Sequence, residues 1–133
     1  MEVGRVIDAN LNRLKEGIRV IEDTLRYFHN DVLLSSSLKN LRHQIKISSN
    51  ISLLSCRNVN GDVLKGSVSD ELQRENLAHL VMANFKRAQE SARVLEEYTK
   101  LVPTFGNSAD FKKVRYELYE LEKTYFERYG KKE

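Results

Sequence analysis

From residue 6 to residue 28 the apolar positions Ile7, Leu11, Leu14, Ile18, Ile21, Leu25 and Phe28 are spaced alternately by four and three. At 100° per residue that spacing lays one continuous stripe, the mark of an amphipathic helix packed in a bundle. Asn30 and Asp31 supply a turn and a helix cap. A second helix is predicted over about 31 to 56, with Leu34, Leu38, Leu41 and Ile45 on its stripe. Its later half, with Ser48, Ser49 and Ser52, is weaker. Residues 57–69 contain Asn58, Asn60, Gly61, Asp62 and Gly66 and read as the main loop. Long loops often carry function. A third helix is expected from near Asp70 to about Leu101, with Leu77, Val81, Phe85, Ala88, Ala92 and Leu95 inward. Pro103 and Gly106 end it. A fourth runs from about Ala109 to Arg128, with Phe111, Val114, Leu118, Leu121 and Tyr125 on one side. The tail from Gly130 to Glu133 is expected to fray.

The first and third helices are alike. Residues 9–23 and 83–97 are identical at seven of fifteen positions, and residues 39–43 align more faintly with 112–116. A helical hairpin alone cannot bury its stripe, so two like hairpins are expected to pack on each other. The expectation is one all-α domain over 1–133. It is a four-helix bundle of two repeated hairpins, about 1–56 and 70–129, related by a pseudo-twofold axis and joined by loop 57–69.

The repeat also carries polar residues. With Leu14 at the centre of the stripe, Asn10 and Gly17 lie beside it, and Arg13 and Val20 lie on one flank. Glu22 lies on the other flank, and Asn12, Glu16, Arg19 and Asp23 lie opposite. The third helix repeats the arrangement, with Asn84 near the stripe, Glu90, Arg93 and Glu97 opposite, and Arg87 flanking. A charge ladder is ordinarily a solvated face. Keeping the same charges in both halves, Arg13/Arg87, Glu16/Glu90 and Arg19/Arg93, leaves a functional role or an ionic seam between subunits equally open. Asn10 and Asn84 read first as amides bonded to nearby backbone, and second as readers of a polar ring. Gly17 reads first as a close helix approach. Arg42 and Arg115 recur in the second helices, where a guanidinium fork suits phosphate or pairs with a carboxylate.

Composition narrows the classes. The chain has 133 residues, 41% hydrophobic and 31% charged, with one Pro, six Gly and no Trp. That suits a folded, helix-rich domain. A net charge of +3 suits small anions and does not demand nucleic acid. Basic residues mixed with Glu on the same faces make no nucleic-acid reading surface. A lone Cys56, no signal peptide and no apolar run of membrane length point to the cytoplasm. His29, His43 and His79 lack metal spacing, and no phosphate loop, dinucleotide fingerprint or nucleophile elbow is present.

The run from Asp8 to Asp23 resembles the opening of a small helical domain often fused in front of bacterial thiamine-phosphate synthase. Similar too are Leu41-Arg42-His43, Arg57 with Gly61-Asp62-Val63, residues 83–87 and 93–98, and residues 115–122. The resemblance implies a hydroxymethylpyrimidine-phosphate kinase. It would use ATP and Mg2+ to convert 4-amino-5-hydroxymethyl-2-methylpyrimidine phosphate to its diphosphate for the synthase. Phosphoryl transfer needs positioning and neutralised charge. On that expectation Arg13, Arg87 and Asp23 are catalytic. Asn10, Arg19, Arg42, Asn84, Lys86 and Arg93 bind substrate and phosphate, and Glu16 and Glu90 hold metal. Loop 57–66, with Asp62, closes over the site. The alternative is a non-catalytic oligomerisation or docking module associated with the synthase, forming a homo-oligomer.

Overall fold

The computed structural model describes residues 2–46, 50–67 and 73–130, and among these it has five α-helices and no strand. Helix α1 is Glu2–Asp23 and continues into a π-helical turn, Thr24–Phe28. Helix α2 is Val32–Gln44, α3 is Asn50–Cys56, α4 is Leu77–Tyr98 and α5 is Ser108–Tyr129. Helices α2, α4 and α5 each start on a side-chain cap. Asp31 accepts from the Leu34 amide, Asn76 from that of His79, and Asn107 from that of Ala109.

The predicted stripes form one core. Ile7, Leu14, Ile18, Ile21 and Leu25 of the first helical stretch pack with Leu38 and Leu41 of α2, Val81, Phe85 and Leu95 of α4, and Leu118 of α5. Helix α1 is central and touches α2, α3 and α4, while α4 also packs on α5. The α1/α4 seam is close at Gly17. A β-carbon there would lie 3.2 Å from the Asn84 carbonyl oxygen and 3.4 Å from Ala88 Cβ. The glycine therefore serves helix approach, as its place beside the stripe suggests.

Three expectations change. The second helix is two: Ile45 turns extended (ψ 105°) and ends α2. Serines and β-branched isoleucines hold a helix weakly there. Ser48 and Ser49 lie outside the described residues, as do Ser69, Asp70 and the last three tail residues. The third helix begins at Leu77, and residues 73–76 before it are not helical.

The third change is at the end of α1. Regular α spacing sends Phe28 into the core, but it is 66% exposed. The π turn is the cause: the His29 amide donates to the Thr24 carbonyl, five residues back. A turn that holds an extra residue rotates the side chains beyond it about the helix axis. Leu25 stays fully buried while Phe28 swings outward, so that it and Tyr27 are both exposed.

A clasp joins the start of α2 to the end of α5. Asp31 is buried and accepts hydrogen bonds from Arg128 Nη1 and the Tyr129 hydroxyl, both at 2.6 Å. The Tyr129 ring stacks on His29 at 3.7 Å, and His29 Nε2 lies 2.7 Å from the Tyr125 hydroxyl. Burial alone raises the Asp31 carboxyl, but hydrogen bonds from Tyr129, the Leu34 amide and Arg128 outweigh it and hold the carboxyl below its ordinary 3.8. A carboxyl lowered by folding stabilises the fold above its unfolded value and loses that contribution as pH falls through the folded one. Urea midpoints are therefore expected to drop from about pH 5 to about pH 3, and Asp31→Asn to flatten that part of the slope. An unchanged slope would mean the clasp contributes nothing to acid sensitivity.

Candidate functional site

A groove of about 580 Å³ lies between the first half of α1 and the loop that follows α3. Loop and helix are tied twice. Arg57 grips Asp8 with two bonds of 2.9 Å, and Arg5 Nη2 donates to the Asn58 carbonyl at 3.2 Å. Asp8 is 5% exposed, so its charge needs this partner. The bond to Asp8 in turn raises the pKa of the Arg57 guanidinium and keeps it charged. Inside the loop, the side-chain oxygens of Asn58 and Asp62 accept from the Gly61 and Leu64 amides.

Asn10 and Arg13 come together on the α1 wall of this groove, with Arg57 and Asp62 on the loop wall. Among the described residues Arg13 makes no ion pair. Arg5, Arg13 and Arg57 against Asp8 and Asp62 leave a small cationic excess, with Val6, Ala9 and Val59 as apolar lining. Such a groove suits a small anion with an apolar body. Among the described residues no Ser, Cys, His or Lys lines it.

The other expected site residues are dispersed. Lys86, Glu90 and Arg93 line a second groove of about 450 Å³ with Gln89, Arg115 and Tyr119. Arg19 pairs with Asp23 at 3.3 Å, and Arg93 with Glu97 at 3.8 Å. Lys86 lies 3.3 Å from Glu122. Arg87 is exposed on α4 and lines neither groove. Glu16 and Glu90 are exposed on separate helices. Among the described residues no three His, Cys, Asp or Glu side chains group to hold a metal ion.

The repeated polar residues bond within the chain. Asn10 donates to the Val6 carbonyl at 2.9 Å, and Asn84 to that of Leu80 at 2.8 Å. Arg42 closes on Glu22 through Nε at 2.8 Å, and Arg115 on Glu96 at 2.9 Å. Both carboxylates are buried. The hydrogen bond to each carboxylate raises the pKa of its arginine. Arg42, expected to meet phosphate, thus spends its fork on a buried glutamate that the helical wheel left on a flank.

Two features are missing from the sequence pattern. Asp8 aligns with Met82 in the second half, so a criterion of repeated charge does not select it; its signal is a carboxylate beside Ile7 on the stripe. The outward Phe28 has no signal in regular α spacing.

A model of the ThiD2 family matches residues 5–124. The thiamine-phosphate synthase of Nostoc sp. (strain PCC 7120) is 39% identical over 122 residues, which is 90% of this chain and 34% of that protein. That of Thermosynechococcus vestitus is 40% identical over 89% of this chain and 34% of its own length. That of Rhodopirellula baltica is 33% identical over 86% and 32%. The chain spans about a third of the length of the curated relatives it matches. No solved structure gives a significant match. These findings correct the expectation of an ATP-dependent pyrimidine-phosphate kinase. The relatives bear the name of a synthase, and the alternative of a module associated with that synthase fits them better.

Proposed function

This chain belongs to the ThiD2 family, and from that premise we propose that it is a non-catalytic helical module that associates with thiamine-phosphate synthase. The observation that carries the reading is one of length. Nine tenths of this chain corresponds to one third of each synthase, so a unit of this kind accompanies the remainder of those proteins. The disposition of charge supports it. Of the arginines kept in both halves, Arg42 and Arg115 are engaged with the buried Glu22 and Glu96, and the others are not gathered around one cleft. The same matched pairs, with the matched Asn10 and Asn84 bonds, support two like hairpins about a pseudo-twofold axis. Among the described residues no helix is long and apolar enough to cross a membrane, and we place the module in the cytoplasm with the synthase.

The test is size-exclusion chromatography with light scattering, mixing the purified chain with the thiamine-phosphate synthase of the same organism. One peak with the summed mass is expected. Two peaks at their separate masses, at concentrations of about 50 µM, exclude any complex tighter than that range and overturn the reading.

A further inference from the structure

At the end of α1 the chain exposes one apolar side chain, Phe28, that its own periodicity assigns to the interior, and others lie around it. Val20, Tyr27 and Phe28 of the α1 stretch line a shallow groove of about 520 Å³ with Leu77 and Leu80 from the first turn of α4. Tyr27 and Phe28 are about two thirds exposed, at 65% and 66%. Just beyond the Asn30 turn, Val32 and Leu33 are exposed as well. None of the described helices covers this surface.

Isolated surface apolar residues need no explanation, but a contiguous set of this size marks contact with another molecule. The π turn strengthens the point. Plain α geometry would bury Phe28; the wider turn delivers it to the surface, and such turns are frequent at functional positions. Thr24 Oγ1 bonds back to the Val20 carbonyl at 2.9 Å within the same stretch.

We infer that this face is where the rest of thiamine-phosphate synthase seats on the module. The inference rests on the association proposed above. The relatives supply the occupant: about two thirds of each lies outside the matching segment, a length far greater than this face needs to be covered. The charges at the rim are already engaged. Asp23 faces Arg19 at 3.3 Å, and Arg26 lies over the Tyr27 ring at 4.9 Å. A rim so neutralised fits an apolar surface on the partner, with Tyr27 and Phe28 as anchors.

The experiment measures binding of the full chain to the synthase of the same organism by calorimetry. Replacing both Tyr27 and Phe28 by Ser is expected to weaken binding at least tenfold. Replacing Val63 and Leu64 by Ser, on the loop far along the chain, is expected to leave it unchanged. In the wild-type complex, hydrogen exchange is expected to slow over residues 20–28 and 77–80; that readout decides the matter if circular dichroism shows the double variant misfolded. Wild-type binding that the double variant retains overturns this face and leaves the module reading standing. No wild-type binding overturns both. A double variant that loses only self-association, with synthase binding intact, assigns the face to a second copy and overturns the inference.

Discussion

Phe85→Ala is expected to lower the unfolding free energy by about 4 kcal/mol. Phe85 is fully buried and is the largest of the completely enclosed side chains. It sits on α4, which packs on α1 and α5, and its ring lies 6.3 Å from that of Tyr125. Truncation removes the transfer energy of the ring and leaves a cavity that helices locked by the Gly17 approach cannot collapse into. Phe85→Leu keeps most of the volume and is expected to cost roughly 1–1.5 kcal/mol. Urea unfolding checks both, with a midpoint shift at constant slope. A loss for alanine no larger than for leucine would show that the seam is looser than described.

Arg42→Ala is expected to cost about 3 kcal/mol, because it strands the carboxylate of Glu22. Glu22 is 2% exposed, and Arg42 holds it with two bonds at 2.8 and 3.3 Å. Most of the cost is the unpaired buried charge, not the lost attraction. The double replacement Glu22→Leu with Arg42→Met is therefore expected to recover most of it. The matching arginine makes a useful contrast. Arg115→Ala leaves Glu96 with Arg93 at 3.6 Å, so about 2 kcal/mol is expected there. Equal losses at the two sites would mean that Arg93 gives Glu96 no support.

Much of this fold is legible in the chain because its stripes obey one period. The residues spaced by three and four from Ile7 to Leu25 are those the structure buries. The Gly17 approach and the backbone bonds of Asn10 and Asn84 also follow from position beside the stripe. Legibility fails where the period does. The π turn cannot be read from hydrophobic spacing, which puts Phe28 on the wrong side. The break at Ile45 is faintly visible in the serines beyond it. For the site, the repeat selects Asn10 and Arg13 on the groove wall and passes over Asp8 and Arg57. It also selects residues bonded inside the fold, Arg42 above all. Asp8 and Arg57 have no equivalents in the aligned repeat and stand outside that logic.

The clasp has a kinetic corollary. Asp31 meets Arg128 and Tyr129 across 97 and 98 residues of sequence, and His29 meets Tyr125 across 96. Contacts so distant along the chain form after the local helical pairs, since closing a long loop gains nothing until its ends are already near. Weakening them with Arg128→Ala then acts after the folding barrier. The refolding arm of a chevron stays where it was, and the unfolding arm rises by the whole of the stability lost.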